Sequence, residues 1–241
     1  MADYEDDELD IDLRDPDDIG ARIILLSALS VWPEINESEE CVAWQKWLDA
    51  QDVLTVATES ELGIVNGLAG AHLTESEADL CDRAIDSVVV LAWATALSDE
   101  LPGLRLTTID NDDLSERIPF PDEPIGPFLD QLLLRDETDV ALERERAEIW
   151  NWRLAIEEIR RKDSGADPGE IEEAIREVVL ESAISFAFTE IDAEDFLVEG
   201  VPVRKLEDEY LESLVVTSEE RLRAFNWLCG LTDWDHIHPP E

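Results

Sequence analysis

The sequence predicts an all-α protein, with at most one or two short strands, built as a single compact multi-helix domain. Apolar residues recur three and four positions apart over long stretches of both halves, which is the spacing of an amphipathic helix. Helix-start sequences precede several of these stretches, and glycine or proline follows them. Hydrophobic residues make up 44% of the 241 residues and include eight tryptophans, so the chain can bury a sizeable core.

The chain begins with a dense run of acids, and we expect residues 1–17 to be a disordered tail before a helical domain at 18–241. The first helix should then start with Asp18 as its N-cap and end before Pro33. A second helix is predicted from about 38 to 51. Its bulky residues share one broad face: Val42, Trp44, Trp47 and Leu48.

Three Thr-x-x-Glu sequences, at 58–61, 74–77 and 217–220, have the spacing of a capping box, which starts a helix. The second of them opens what we predict to be the central helix, whose apolar residues keep helical spacing through Ala92. The third predicts a C-terminal helix that ends near Gly230.

The remaining segments are a mixture of regular and irregular patterns. Alternation at 104–109 suits a short strand, and the proline-rich stretch that follows predicts an irregular connection. A long helix is predicted at about 138–162, and Asp167-Pro168 should start the next one. The expected apolar stripe of the long helix is Ile149, Trp152, Ile156 and Ile159.

The charge is extreme, with 61 acidic residues against 18 basic ones and a formal net charge of −43. Such a surface repels itself at low ionic strength. At 1 M salt the Debye length falls to about 3 Å, which removes most of that repulsion. Only three basic residues are lysines. We interpret the acidity as adaptation to a halophilic, haloarchaeal-like cytoplasm; the alternative is an acidic mimic of nucleic acid.

Several classes of protein are disfavoured. The sequence has no cluster of lysine and arginine of the kind that binds nucleic acid directly. Its most hydrophobic stretch, 85–97, is shorter than the ~20 residues of a membrane span, and its start lacks a secretory pattern, so a cytoplasmic protein is predicted. Three scattered cysteines predict buried free thiols. Because nucleophile, zinc and phosphate-loop motifs are absent, we predict no cofactor.

The C-terminal third carries a recognisable block. Asp195-Phe196 and Gly200-x-Pro202 precede Glu220-Arg221-x-x-Ala224-Phe225-Asn226-Trp227-Leu228 and then Trp234-Asp235. Earlier blocks follow in matching order, at 91–94, 100–102, 127–129 and 150–152. Over about residues 20–238 the chain resembles the uncharacterised prokaryotic family called domain of unknown function 4272. The resemblance implies a helical fold and no particular activity.

Two groups of candidate site residues stand out. The first is a polar cluster, in which a buried amide needs hydrogen-bond partners and an arginine binds either a ligand anion or an internal acid. Its members are Asp86, Arg221, Asn226 and Asp235. The second is a set of tryptophans that either line an aromatic pocket or belong to the core. They are Trp93, Trp150, Trp152, Trp227 and Trp234.

One further cluster, at 233–238, contains two aspartates and two histidines, but we interpret it as a flexible tail and predict no metal. The leading functional hypothesis is a non-enzymatic helical protein that binds a protein partner, as an adaptor or in an immunity-like role. The alternative is an enzyme or small-ligand-binding protein with a pocket near Arg221, Asn226 and the tryptophans. The sequence does not indicate the oligomeric state.

Overall fold

The computed structural model describes residues 11–35, 37–67, 73–105, 114, 116–162, 167–186, 188–236 and 238. The α-helices are α1 (Pro16–Val31), α2 (Ser38–Ala50), α3 (Glu59–Val65), α4 (Glu75–Ala94), α5 (Gly126–Leu129), α6 (Glu137–Arg161), α7 (Pro168–Ser185) and α8 (Asp208–Leu228). Strands β1 (Leu197–Val198) and β2 (Val201–Pro202) pair as one short antiparallel hairpin. The all-α prediction is therefore confirmed.

Helix α1 starts earlier than predicted. Its N-cap is Asp15, not Asp18, because the Asp15 side chain accepts a hydrogen bond from the Asp17 N–H and proline follows at the first helical position. Ile11 is buried, and the Asp12 and Arg14 N–H groups donate to main-chain oxygens at the end of α8. The predicted boundary after residue 17 thus falls inside α1, while residues 1–10 lie outside the described residues.

Two of the three predicted capping boxes are present. Thr58 and Glu61 start α3, and Thr74 and Glu77 start α4, each with both reciprocal hydrogen bonds. The third was wrong, since Thr217 lies in the middle of α8 and is 3% exposed. Its hydroxyl donates to Asp86 Oδ2 at 3.1 Å, a partner 131 positions away along the chain.

Helix α6 matches its predicted extent, but its predicted buried face was only partly right. Ile149, Trp152 and Ile156 pack half-buried against the core, whereas Ile159 is 42% exposed. The fully buried residues of α6 include three charged ones, Arg144, Arg153 and Glu157. Helix α7 starts at Asp167-Pro168 as predicted, with the Asp167 side chain accepting from the Gly169 N–H. Of the strand predicted at 104–109, residues 106–109 lie outside the described residues.

The core consists of two hydrophobic clusters that share two helices. Helix α4 packs between α1 and α8, and α6 packs along α8. The first cluster gathers α1, α2, α4, the N-terminal part of α6 and the C-terminal end of α8. The second gathers the rest of α6, α7, the hairpin and the N-terminal half of α8. Because α6 and α8 contribute to both clusters, the two halves of the core are continuous.

The C-terminal end of α8 is closed by Gly230, as the sequence predicts. Gly230 has a φ of 70°, and its N–H donates to the Trp227 oxygen while the Leu231 N–H donates to the Asn226 oxygen. A Cβ at Gly230 would lie 2.8 Å from the Asp12 oxygen, so the N-terminal segment also requires a glycine here.

The three cysteines are buried and form no disulfide with one another, as predicted. Burial raises the pKa of Cys81 to about 12 and that of Cys229 to about 11, which keeps both thiols protonated at neutral pH. None of the described helices combines the length and the apolar character needed to cross a membrane.

Candidate functional site

A cleft of about 450 Å³, here called the aromatic cleft, lies where α4, α6 and α8 meet. The segment 100–104 forms one edge, and residues 188–190 form another. Four aromatic side chains line it, and Trp93 meets Phe225 edge to face with ring centroids 6.1 Å apart. The aromatic residues are Trp93, Trp150, Phe188 and Phe225.

Arg221 from α8 lines this cleft and is only 5% exposed. Its Nη1 donates to the main-chain oxygens of Pro102 at 2.8 Å and Gly103 at 3.2 Å. Within the described part of the chain, Nε and Nη2 have no hydrogen-bond partner. These two nitrogens form one edge of the guanidinium, and a carboxylate or phosphate binds such an edge with two parallel hydrogen bonds.

The predicted ion pair between Arg221 and an acid is not formed among the described residues, although Asp86 is close enough to act electrostatically. Burial lowers the pKa of Arg221, the charge of Asp86 raises it, and the charge of Arg105 lowers it. Arginine nevertheless remains protonated in proteins. The cleft therefore contains a permanent, buried cation whose hydrogen bonds to described residues go to main-chain oxygens.

The cleft is also lined by an ion pair from α6, between Glu143 and Arg146. Burial raises the pKa of Glu143, while the neighbouring Arg146 opposes that shift. Arg146 also donates from Nε and Nη2 to the Phe186 oxygen, at 2.9 and 2.7 Å. Arg146 thereby holds the segment after α7 against α6 and positions Phe188, over whose ring its guanidinium lies at 5.9 Å.

Asn226 does not belong to the aromatic cleft. It is fully buried in α8, and its Oδ1 accepts from Arg144 Nε at 2.8 Å. Because this bond joins α8 to α6, its role is to fix the two helices relative to each other. Asp235 is exposed and lines a separate cleft of about 260 Å³ beside Trp234. The four residues of the predicted polar cluster therefore do not form one site.

The predicted tryptophan pocket is also not formed as a unit. Of the five predicted tryptophans, Trp93 and Trp150 line the aromatic cleft. Trp227 and Trp234 pack edge to face at 5.3 Å, and Trp152 packs against the second hydrophobic cluster. The Arg14 guanidinium lies over the Trp227 ring at 4.7 Å, and the Arg22 guanidinium lies over the Trp234 ring at 3.7 Å.

Sequence reasoning missed Glu143, Arg146 and Phe188 as cleft residues. Glu143 and Arg146 stand in a run of alternating acids and arginines, which is typical of a solvated helix face. Phe188 follows the end of α7, where no periodic pattern assigns it to a surface. As for metals, no three His, Cys, Asp or Glu side chains among the described residues are placed to hold an ion.

The comparisons with known proteins concern the family. A family model described as "Domain of unknown function (DUF4272)" matches residues 4–181. This match covers α1 to α6 and most of α7, and it ends before the hairpin and α8, so Arg221 and Asn226 lie beyond it. No curated protein and no solved structure matches the chain. With more than half of its length matched, the chain belongs to the DUF4272 family, whose function is unknown.

Proposed function

We propose that the aromatic cleft binds a small organic anion, in which a carboxylate is attached to a flat, apolar body. The observation that carries this proposal is the Nε–Nη2 edge of Arg221, which lacks a hydrogen-bond partner in the described part of the chain. Buried donors left without a partner cost about 1–3 kcal/mol each. Both nitrogens are closed to solvent in the unliganded fold, so a carboxylate satisfies them once the cleft wall that covers this edge moves aside. The aromatic walls supply the apolar surface against which the body of such a ligand packs.

The charged residues that line the cleft favour a ligand with a single anionic group. Glu100, Glu143 and Glu190 line it together with Arg146 and Arg221, so a second anionic group on the ligand would meet a carboxylate. The Arg221 Nη1 is already fixed by two carbonyl oxygens, which orients the remaining edge before a ligand arrives. A pre-organised edge of this kind favours one planar carboxylate over a diffuse negative charge.

The test uses benzoate, with benzamide as a neutral ligand of nearly the same shape. Trp93 and Trp150 line the cleft, so binding is followed by quenching of tryptophan fluorescence and by ligand-observed NMR. We expect benzoate to bind at least about tenfold more tightly than benzamide, the ratio that corresponds to one charge-assisted pair. Equal affinity of the two probes, or no binding of either, would contradict the proposal.

Variants locate the binding site. Arg221→Lys keeps the positive charge but loses the planar fork, and it should weaken benzoate binding by about tenfold or more. Trp150→Leu removes a cleft wall, whereas Trp152→Leu, two positions along α6, removes an indole that does not line the cleft. We expect only the first of these two substitutions to weaken binding. Thermal unfolding of each variant shows whether the fold is retained.

A second candidate function is binding to a protein partner, in an adaptor or immunity-like role. The observation that favours it is on α7, where Leu180 is 64% exposed and Ile184 76% exposed, one helical turn apart. Exposed Glu177 and Glu181 flank this pair. A partner that fits would present an apolar stripe edged by basic residues.

Affinity capture in concentrated salt tests this second candidate. The double variant Leu180→Gln/Ile184→Gln should lose a protein that the native chain retains. The matched control is Val42→Gln/Val201→Gln, which changes residues that are 44% and 42% exposed elsewhere on the surface. Loss of the same protein from both variants would count against α7 as the binding surface.

We also infer that the acidic surface is adapted to concentrated salt and that the protein works in the cytoplasm. The net charge of −43 and the scarcity of lysine support the first inference. The three buried cysteines, which form no disulfide with one another, support the second, because thiols persist in a reducing compartment.

A further inference from the structure

A second cleft, of about 330 Å³, is lined mainly by arginine side chains, and we call it the arginine cleft. It lies between the C-terminal half of α6, the second turn of α7 and the segments on either side of the hairpin. Four arginines and three carboxylates line it. They are Arg153, Arg160, Arg176 and Arg204, with Glu172, Glu194 and Asp195.

The balance of basic and acidic residues in this cleft is the reverse of that in the whole chain. Over the whole chain acids outnumber bases 61 to 18, whereas among the described residues that line the arginine cleft four arginines face three carboxylates. In concentrated salt the repulsion from distant carboxylates is screened within a few ångströms, so an anion in this cleft responds mainly to the groups that line it. The cleft is therefore a place on this acidic protein where an anion can bind.

Two buried carboxylates hold Arg153 and Arg160, the inner arginines of the cleft, in place. Glu157 is fully buried and accepts from Arg160 Nη2 at 2.6 Å and from Arg161 Nε at 2.8 Å. Asp195, which is 1% exposed, accepts from Arg153 Nε at 2.8 Å and from the Arg204 main-chain N–H at 3.1 Å. The inner wall is therefore rigid before any ligand binds, which reduces the entropy lost on binding.

The outer arginines, Arg176 and Arg204, pair with exposed carboxylates. Arg176 lies 3.7 Å from Glu172, and these side chains are 59% and 68% exposed. Arg204 donates from Nη2 to Glu194 Oε2 at 2.5 Å, and these side chains are 37% and 65% exposed. Exposed ion pairs contribute little to stability, so Glu172 and Glu194 can turn outward when a stronger anion enters. A phosphate group, with two charges and three terminal oxygens, fits two guanidinium forks better than a single carboxylate does.

We propose that the arginine cleft binds a phosphate group, with Arg176 and Arg204 as the residues that close on it. This site is separate from the aromatic cleft and does not depend on the function proposed there. The same chemistry is offered by free inorganic phosphate and by a phosphorylated small molecule. A volume of about 330 Å³ leaves room for a small organic part beside the phosphate.

The test is calorimetric titration of the full chain at constant, high ionic strength, with inorganic phosphate, ribose 5-phosphate and ribose as probes. We expect phosphate and ribose 5-phosphate to bind and ribose to show no heat. Tighter binding of ribose 5-phosphate than of phosphate assigns the cleft to phosphorylated molecules, and the reverse assigns it to the free ion. Absence of binding by both phosphate probes at tens of millimolar would overturn the proposal.

Substitution of exposed arginines leaves the core unchanged, so a loss of binding is not caused by a loss of folding. Arg176→Gln/Arg204→Gln should weaken phosphate binding by about tenfold or more, because each loses a charge-assisted contact. The control Arg83→Gln removes an arginine that is 38% exposed and lies in a comparable i, i+4 pair on α4. The control removes one charge and the double variant two, so weakening by the control that is about half as large on a logarithmic scale would show that only net charge matters.

Discussion

Arg22 and Glu61 form a buried, two-pronged ion pair that joins α1 to the capping box of α3. The two hydrogen bonds are 2.7 and 2.8 Å long, and the side chains are 0% and 2% exposed. Glu61 also accepts from the Thr58 N–H at 2.8 Å, so one carboxylate both caps a helix and neutralises a buried cation. A capping glutamate at the protein surface has only the first of these roles.

Substitution of this glutamate should therefore be unusually costly. Glu61→Gln keeps an oxygen for the cap but leaves the Arg22 charge buried and unpaired, and we expect a loss of about 3–5 kcal/mol in unfolding free energy. Denaturant unfolding in concentrated salt measures it. The control Asp79→Asn breaks the exposed Arg83–Asp79 pair and should change stability by no more than about 0.5 kcal/mol. Similar losses in the two variants would contradict this expectation.

Glu157 should leave a signature in the acid range. Burial by itself would raise its pKa, but hydrogen bonds from Arg160 and Arg161 and the charge of Arg153 outweigh it and hold the pKa at about 2. The folded pKa lies below the ordinary value of 4.5, so the ionised group stabilises the fold above about pH 4.5 and loses this effect as pH falls toward 2.

The native chain should accordingly be more stable than Glu157→Gln at neutral pH, and the difference should shrink between about pH 4.5 and 2. Unfolding free energies at a series of pH values give this difference directly. Glu212→Gln, at an exposed position of α8, is the control and should show no such trend. A difference that stays constant down to pH 2 would show that Glu157 is not held ionised by its arginines.

At the scale of elements, the sequence predicted those helix starts that are set by hydrogen bonds between residues close together along the chain. The starts of α3, α4 and α7 follow from side chains that bond the main chain within three residues. Thr217 has the same local pattern but is bonded to Asp86, and α8 had already begun nine positions earlier. Local spacing cannot distinguish a helix start from a helix interior when a distant residue supplies the hydrogen-bond partner.

Long-range contacts also explain what the sequence could not show of the candidate sites. Arg221 was predicted as a site residue, but its unpaired edge depends on where residues 102 and 103 lie. The arginine cleft combines side chains from three segments that are distant in sequence, so no basic cluster appears along the chain. The predicted tryptophan pocket failed for the related reason that Trp227 and Trp234 pack with the N-terminal arginines.

Two glycines, Gly63 inside α3 and Gly230 just after α8, should change stability in opposite directions when they are replaced by alanine. Gly230→Ala places a Cβ at a positive φ and 2.8 Å from the Asp12 oxygen, so it should destabilise the fold by more than about 1 kcal/mol. Gly63→Ala, inside α3 with open space around the added atom, should stabilise it by about 0.4–1 kcal/mol. Thermal or denaturant unfolding of both variants checks the signs, and a stabilising Gly230→Ala would contradict the described closure of α8.

At the scale of the whole molecule, salt should control stability. With a net charge of −43, the folded state repels itself most strongly at low ionic strength, and the Debye length of about 3 Å at 1 M KCl removes most of this repulsion. For a chain of this size, each kcal/mol of repulsion relieved should raise the melting temperature by about 2–4 °C. Calorimetry across a KCl series measures the rise. A melting temperature independent of salt would exclude the proposed adaptation, and a parallel series in sucrose separates screening from general exclusion of solutes.

The segment before α1 brings positions 12 and 229 side by side, since the Asp12 N–H donates to the Cys229 oxygen at 3.2 Å and the Arg14 N–H to the Leu228 oxygen at 3.0 Å. Two segments that are far apart along the chain and lie side by side in this way allow circular permutation. A short linker from residue 236 to residue 11, with new ends between α6 and α7, would place α8 directly before α1 in the chain. The contact that now closes a loop of more than 200 residues would become local, and the permuted chain should still reach the same packing.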